Sequence, residues 1–175
     1  MQRRTRTHSA PPRGRYVATV VATFVLASPL TASADTPGVS SLAVDFALKG
    51  IDGRNLRLSE YRGDPVVLTF WASWCGPCRE SLVTLDRAAG TTGLAVLGVN
   101  IEGQQDRAAS IASSLNLHFP TLLDTQQTVA RAYDVAHLPL TLLIDRDGRV
   151  RASWTGKACD PQDLSREVAT LEATR

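Results

Sequence analysis

Two cysteines separated by two residues give this chain its clearest chemical signal. They lie in the segment Trp74-Cys75-Gly76-Pro77-Cys78, and this spacing allows a reversible disulfide at the start of a helix. Unpaired backbone N–H groups and the helix dipole favour a thiolate there, so Cys75 is predicted to be the attacking sulfur. Cys78, one turn into the helix, is expected to lie deeper, to stay protonated, and to resolve the mixed disulfide that Cys75 forms.

The same Cys-x-x-Cys spacing begins many four-ligand zinc sites, so a structural metal is the alternative interpretation. The other soft ligands outside the N-terminal segment are Cys159, His118 and His137, and they are not paired at zinc-like spacing. An apolar run at 66–71 and a helical pattern after the motif place the cysteines at a strand-to-helix junction, as in redox folds. The sequence therefore favours a redox pair, and we expect no metal site and no bound cofactor.

The first 34 residues have the composition of a secretory signal peptide. Five arginines and no acid precede the apolar stretch Tyr16–Leu30, and Ala32-Ser33-Ala34 supplies a cleavage site. The stretch is short for a membrane span, although an uncleaved N-terminal anchor is the alternative. We therefore expect an exported protein, periplasmic or otherwise extracytoplasmic, that could stay anchored by this segment.

Removal of the leader would change the net charge from +2 to −3, because residues 35–175 hold 14 Lys and Arg against 17 Asp and Glu. A negative chain argues against nucleic acid as the main partner. Residues 35–44 are expected to form a flexible start, followed by one domain over 45–175 that can bury its own core. The cysteines are then free for chemistry, although in an oxidising compartment their state depends on an electron partner.

Periodic apolar residues predict the elements that position the motif. A tight turn at Asp52-Gly53 joins two short strands, a helix runs from Cys78 to about Ala89 and is closed by Gly90, and Asp160-Pro161 caps a last helix. The other elements are strands at 66–71, 94–100, 140–144 and 150–154, a helix at 104–115 and a short helix at 125–133. This order predicts an α/β fold with a mixed central sheet flanked by helices.

Four segments along the chain carry a more specific pattern. They are Phe46-x-Leu48 through Gly53 with Leu58 and Tyr61; Phe70-Trp71-Ala72-Ser73 with the cysteine motif; Phe119-Pro120 with Leu122-Leu123-Asp124 and Tyr133-Asp134-Val135; and Leu138-Pro139 with Thr141, Ile144-Asp145 and Gly148. Together, over roughly residues 44–172, they resemble the thioredoxin superfamily, specifically its exported TlpA/ResA/CcmG-like branch with an AhpC/TSA-related domain. The resemblance implies a thioredoxin-like fold with an N-terminal β-hairpin and a central TlpA-type insertion.

The resemblance also assigns roles around the motif. Pro139 matches the family's cis-proline, whereas the residues alone leave an ordinary trans turn open. A cis bond would expose the backbone of Leu138 beside the sulfurs, where it could pair with an extended substrate segment, so Leu138 is expected to contribute to specificity. Trp74, with Gly76 and Pro77, is expected to form the substrate-docking surface.

A proton acceptor for Cys78 is the point at which the sequence departs from the family. Thioredoxin has a buried Asp beneath its cysteines, and the aligned residue here is Thr69, which cannot accept a proton at neutral pH. The branch often has a Glu three residues after the second cysteine, but that position is Ser81, and Glu80 precedes it. Glu80 is the candidate acceptor, although the offset rotates it by about 100° on a helix, and water or Cys75 could serve instead.

The remaining residues of interest have structural and functional interpretations. Phe70 and Trp71 are expected to pack in or beside the core. Cys159 is interpreted as a semi-buried structural thiol, although a lone thiol in an exported protein could resolve a mixed disulfide or link two chains. His137 is interpreted as a loop residue that, if protonated, could favour the Cys75 thiolate.

The resemblance implies a protein-disulfide oxidoreductase, and the motif favours the reducing direction. Gly76-Pro77 matches the dipeptide of reducing thioredoxins, near about −270 mV, whereas oxidants near about −120 mV carry other dipeptides. Family resemblance implies oxidised apo-cytochrome c or other cell-envelope proteins as substrates, a CcdA/DsbD-like membrane electron donor, and a monomeric protein.

Two alternatives stay open. A peroxiredoxin-like peroxidase shares the hairpin and the insertion, but its Pro-x-x-x-Thr-x-x-Cys signature is not found, since Thr69 lies six residues before Cys75. A non-catalytic copper(I) or assembly chaperone would use Cys75 and Cys78 as soft ligands.

Overall fold

Short strands and helices alternate along the computed structural model, which describes residues 39–173. In chain order they are β1 (Ala47–Lys49), β2 (Asn55–Arg57), a 3-10 turn (Leu58–Tyr61), β3 (Val66–Trp71), α1 (Gly76–Thr92), β4 (Ala95–Asn100), α2 (Gln105–Ser114), β5 (Thr121–Leu123), α3 (Thr128–Ala132), β6 (Leu140–Ile144), β7 (Val150–Thr155) and α4 (Pro161–Ala173). Within residues 39–173, no helix is both long enough and apolar enough to cross a membrane.

A mixed five-stranded sheet lies at the centre, in the spatial order β5-β4-β3-β6-β7. Strand β3 pairs in parallel with β4 and antiparallel with β6, while β4 and β5 are parallel and β6 and β7 antiparallel. All six residues of β3 are buried, as in a central strand that is covered on both faces, and all of them except Thr69 are apolar. The parallel pairing brings the carboxyl ends of β3 and β4 to the same edge of the sheet, next to the cysteine motif.

Alternate side chains of β3 point into two separate apolar layers. Val66, Leu68 and Phe70 belong to the layer that includes Tyr133 and the N-terminal hairpin. Val67 and Trp71 belong to the other layer, to which α1, α2 and α4 contribute Cys78, Leu82, Leu85, Ala108 and Leu164. The predicted thioredoxin-like α/β fold with a flanked mixed sheet is confirmed, and Phe70 and Trp71 are both fully buried.

The turn and cap signals that the sequence carries are confirmed at two places. Gly53 has φ +83 in the turn between β1 and β2, and an isolated bridge from Gly50 to Leu122 attaches this hairpin to the edge of the main sheet. Asp160 Oδ1 accepts a hydrogen bond from the Gln162 N–H at 2.8 Å, as expected for the residue that caps α4.

The predicted bounds of two helices were wrong, and one short strand was not predicted. Helix α1 continues through Gly90 and ends at Gly93, which takes the left-handed conformation at φ +70 and donates to the Ala89 carbonyl at 2.9 Å. Helix α3 is shorter than 125–133, because the Asp124 carboxylate accepts hydrogen bonds from the N–H groups of Thr128 and Ala130 and fixes its start there. Strand β5 was not predicted as a strand.

The predicted signal peptide, and residues 35–38 of the predicted flexible start, lie outside the described residues. The rest of that start is hydrogen-bonded to the closing hairpin. Ser40 N–H donates to Val150 O at 2.7 Å, Val150 N–H donates to Ser41 O at 2.9 Å, and Ala43 N–H donates to Gly148 O at 2.8 Å.

Candidate redox site

The two cysteines of the motif form a disulfide at the first turn of α1, with their Cα atoms 5.3 Å apart. Cys75 is the N-cap residue, with extended backbone angles, and its sulfur accepts a hydrogen bond from the Cys78 N–H at 3.2 Å. Pro77 occupies the first turn of α1, where backbone N–H groups have no partner within the helix, so the N–H that proline lacks costs no helical hydrogen bond. The sulfur of Cys75 thus lies where backbone N–H groups and the helix dipole stabilise negative charge.

The two sulfurs differ in their access to solvent. Cys75 is 5% exposed and Cys78 is 0% exposed. Cys75 also lines a surface groove of about 470 Å³, whereas Cys78 packs beneath it among the apolar residues of α1. A substrate sulfur can therefore approach Cys75 and not Cys78.

The groove beside Cys75 has mostly apolar walls. It lies between the motif and the loop before β6, and its other lining residues are Trp74, Gly76, Pro77, Ile101, Val135, Ala136, His137 and Leu138. Trp74 is 70% exposed at the edge of this groove. The structure thus brings together the predicted docking residues Trp74, Gly76, Pro77 and Leu138.

The predicted cis bond is present between Leu138 and Pro139. Pro139 is buried and its carbonyl accepts a hydrogen bond from the Gly156 N–H at 2.8 Å, which ties the loop to the end of β7. Leu138 is half-buried and lies at the boundary of both apolar layers. Its side chain therefore contributes to packing as well as to the groove.

Hydroxyl groups occupy the buried layer under α1. Thr69 Oγ1 and Thr141 Oγ1 lie 3.0 Å apart in a hydrogen bond, and both residues are fully buried. Ser81 is also fully buried, and its hydroxyl has no hydrogen-bond partner among the described residues. Neither a threonine nor a serine hydroxyl accepts a proton at neutral pH, so none of these three groups can serve as the proton acceptor for Cys78.

Glu80 does not join these groups. It lies on the exposed face of α1, whereas Cys78 and Ser81 lie on the buried face. Two residues along an α-helix correspond to a rotation of about 200°, which carries the carboxylate of Glu80 away from the face of Cys78. Its role as a proton acceptor stays a prediction, and its position does not favour it.

Glu102 is a carboxylate beside the motif that the sequence analysis missed. It is 9% exposed, in the loop after β4, and Oε2 accepts a hydrogen bond from the Ser73 hydroxyl at 2.6 Å. Its Oε1 accepts from the Ser73 N–H at 3.1 Å and from Asn100 Nδ2 at 2.9 Å. The available signal in the sequence was an acid two residues beyond the apolar strand predicted at 94–100.

The remaining cysteine and histidines have distinct environments. Cys159 is a free thiol with 1% exposure, more buried than expected, and its Sγ lies 3.6 Å from the Asp160 carbonyl oxygen. Burial, with a smaller effect from Asp163 and Asp160, raises the pKa of this thiol to about 12, so it is protonated at neutral pH. His118 Nδ1 lies 3.0 Å from Asp86 Oδ2, whereas His137 is exposed and lines the groove.

Comparisons with known proteins place this geometry among thiol-disulfide enzymes. Residues 39–153 match the AhpC/TSA family. The thiol-disulfide oxidoreductase ResA of Geobacillus thermodenitrificans (strain NG80-2) is 37% identical over 137 residues, which are 77% of this chain and 78% of the relative.

Two solved structures have a similar fold. A Chlorobium tepidum protein described as thiol:disulfide interchange protein DsbE is 31% identical, with a TM-score of 0.70 over 77% of this chain and 97% of that one. A secreted disulfide oxidoreductase of Mycobacterium tuberculosis, homologous to DsbE of Escherichia coli, is 25% identical, with a TM-score of 0.66 over 72% of this chain and 96% of that one.

Proposed function

Since this chain belongs to the AhpC/TSA family and is a thioredoxin-like thiol-disulfide oxidoreductase, we propose that it reduces disulfides of cell-envelope proteins through Cys75 and Cys78. The observation that carries the proposal is the difference between the two sulfurs. Cys75 caps α1 and lines the groove, while Cys78 is fully buried beneath it. One sulfur is placed to attack and the other to resolve.

In the first step, the Cys75 thiolate attacks one sulfur of a substrate disulfide. The Cys75–substrate disulfide forms, the substrate S–S bond breaks, and the second substrate sulfur leaves as a thiolate that takes up a proton. The N–H groups at the start of α1 stabilise the thiolate before the attack. Trp74 and the apolar groove support binding of an extended, partly apolar segment next to the substrate cysteine.

In the second step, Cys78 gives up its proton and attacks the Cys75 sulfur. The Cys75–Cys78 disulfide forms and the first substrate sulfur leaves as a thiol, so the substrate has gained two electrons and two protons. The closed disulfide then needs a dithiol donor to return it to the reduced state. A membrane protein of the CcdA/DsbD type would fit this role outside the cytoplasm.

The location, partners and direction rest on sequence features. The leader over residues 1–34 supports export to a periplasmic or other extracytoplasmic compartment, with or without a retained anchor. Gly76-Pro77 supports the reducing direction. Oxidised apo-cytochrome c is one candidate substrate among cell-envelope proteins, and the protein is proposed to act as a monomer.

The proposal is tested by comparing single cysteine variants in an insulin-reduction assay. Cys75→Ser should lose at least about 100-fold in rate, because it removes the attacking sulfur. Cys78→Ser should accumulate mixed disulfides with cell-envelope proteins, which mass spectrometry can identify. Cys159→Ala is the matched control and should retain the wild-type rate, since this thiol lies outside the groove and is fully buried.

Three results would contradict the proposal. Reduction at the wild-type rate by Cys75→Ser would exclude the mechanism, and a reduction potential above about −180 mV would make the protein an oxidant or isomerase. Peroxide consumption faster than disulfide exchange would identify a peroxidase instead.

A further inference from the structure

The buried carboxylate of Glu102 holds the segment that leads into the motif. Its three hydrogen bonds come from the N–H and the hydroxyl of Ser73 and from the side-chain amide of Asn100, at 3.1, 2.6 and 2.9 Å. The Glu102 N–H in turn donates to Asn100 Oδ1 at 3.1 Å. Glu102, Ser73 and Asn100 are all at most 9% exposed, so water competes little for these bonds.

Ser73 is fixed from two sides. Its N–H points to Glu102, and its carbonyl accepts a hydrogen bond from Arg79 Nη2 of α1 at 3.2 Å. The Cys75 N–H donates to the Ala72 carbonyl at 3.1 Å and closes the turn around Ser73. The direction in which the chain leaves β3 and enters α1 at Cys75 therefore depends on the backbone of Ser73, which Glu102 holds.

The Glu102 carboxylate is also a charged group close to the attacking sulfur, because it contacts Ser73, two residues before Cys75. Its hydrogen-bond donors are all neutral, and no ion pair of Glu102 occurs among residues 39–173. Other charged or titratable groups near the motif include Arg79 and the exposed Glu80 on α1 and His137 on the loop across the groove. Glu102 therefore opposes a thiolate at Cys75, whereas Arg79 and the start of α1 favour it.

We propose that Glu102 is a positioning residue for the redox motif and fixes the turn that presents Cys75. Its charge also disfavours the Cys75 thiolate, which makes the reduced cysteine pair a stronger electron donor. The inference rests on the proposed function, because it concerns the same cysteine pair in its reducing direction. In the relevant couple, the Cys75–Cys78 disulfide gains two electrons and two protons to give the dithiol. A group that destabilises the thiolate destabilises the reduced side of this couple.

The variant Glu102→Gln separates charge from position. Its amide oxygen can still accept from Ser73 N–H and Asn100, and the Ser73 hydroxyl can turn to accept from the new amide nitrogen. The Cα atoms of Ser73 and Cys75 are at most about 7 Å apart, so we take a separation on the order of 10 Å between the Glu102 carboxylate and the Cys75 sulfur. Removal of the charge should then lower the pH midpoint of Cys75 alkylation in the reduced protein by about 0.3 to 1.2.

The equilibrium with glutathione gives a second readout. Above the alkylation midpoint, Glu102→Gln should shift this equilibrium toward the dithiol by about 2- to 15-fold, and each tenfold change corresponds to about 30 mV in potential. The variant Asp106→Asn is the matched control, because it removes the same charge from an exposed side chain at the start of α2. It should leave the midpoint within about 0.1 of wild type, since surface charges are screened.

Glu102→Ala tests the positioning role, because it removes both the charge and the hydrogen bonds. Its rate of disulfide exchange at high pH, where Cys75 is fully ionised, should fall by about 5- to 100-fold. Glu102→Gln should restore most of that rate while keeping the shifted midpoint. Ser73→Ala removes the hydroxyl contact to Glu102 but keeps the carboxylate and its contact with the backbone N–H of residue 73. Its pH midpoint of Cys75 alkylation should stay at the wild-type value, and this measurement can be made even if the Glu102 variants fold poorly.

Unchanged alkylation and glutathione equilibria in Glu102→Gln would overturn the charge effect. A shifted midpoint in Ser73→Ala, which keeps the carboxylate, would likewise overturn the assignment of the midpoint to charge. A wild-type exchange rate in Glu102→Ala would overturn the positioning role. These measurements follow Cys75 alkylation and a small disulfide, so they remain valid if the wild-type protein proves inactive toward cell-envelope proteins. That outcome would contradict the proposed function and not the role of Glu102.

Discussion

The buried pair Thr69–Thr141 provides a quantitative test of the packing beneath the motif. The two hydroxyls lie 3.0 Å apart between neighbouring strands, and both residues are 0% exposed. Thr69→Val keeps the shape of the side chain but leaves the Thr141 hydroxyl without this partner in an apolar layer. An orphaned buried hydroxyl costs about 1 to 3 kcal/mol, so the free energy of unfolding should fall by that amount.

The double variant Thr69→Val/Thr141→Val should be more stable than either single variant. Both hydroxyls are then replaced by methyl groups, and no buried polar group is left unpaired, so the net cost is close to zero. The assay is denaturant unfolding of the oxidised protein at neutral pH, followed by tryptophan fluorescence. The two single variants should therefore be strongly non-additive, with a coupling free energy of about 2 to 6 kcal/mol, the sum of the two single costs.

Thr155→Val is the matched control, because it makes the same substitution at an exposed position of β7. Its effect should stay within about 0.5 kcal/mol of wild type. Additive destabilisation in the double variant would refute the reasoning, since it would mean that each hydroxyl has another partner. A double variant less stable than both single variants would lead to the same conclusion.

Two further predictions concern buried groups away from the groove. Burial raises the pKa of the Cys159 thiol from 9.0 to about 12. Above pH 9 the folded state therefore retains a proton that the unfolded chain releases, and the free energy of unfolding should fall between about pH 9 and pH 12. Cys159→Ala should flatten that part of the profile in urea titrations at pH 8 and pH 10. Gly98→Ala would place a Cβ 2.9 Å from Phe119 and 3.2 Å from Trp71 Nε1 and should destabilise the protein by about 1 to 3 kcal/mol. Gly90→Ala in α1, where a Cβ meets no atom within 4 Å, should instead stabilise the protein by about 0.5 to 1 kcal/mol. Equal effects of Gly98→Ala and Gly90→Ala on the free energy of unfolding would contradict the close packing around Gly98.

Signals that act over short distances in the chain were sufficient for most of the fold. The run at β3 is apolar at nearly every position and ends at the cysteine motif, so it was predicted as a strand, and the structure places it at the centre of the sheet. Cys75 and Pro77 mark the start of α1 by chemistry that is local to its first turn, as Asp160 does for α4. The cysteine pair needed no tertiary information, because both sulfurs lie within one helical turn.

Predictions failed where a tertiary contact or a surface residue decides the outcome. The last turn of α1 is exposed and carries no apolar periodicity, so Gly90 looked like an end although Gly93 forms the cap. Strand β5 has three residues, too few for an alternating pattern, and exists because β4 pairs with it. The hydroxyl pair of Thr69 and Thr141 joins strands that are far apart in sequence.

The two carboxylates considered for this site illustrate why nearness along the chain is a poor guide to nearness in space. Glu80 lies two residues from Cys78, but helical geometry turns it by about 200° and leaves it exposed. Glu102 lies in another loop, yet it reaches Ser73 because β3 and β4 are parallel neighbours whose carboxyl ends meet at one edge of the sheet. The environment of Cys75 is therefore set by strand pairing, whereas that of Cys78 is set by the buried face of α1. A variant at Glu102 should accordingly change the pH midpoint of alkylation of the attacking sulfur, Cys75, although Glu102 is 27 residues away in the chain.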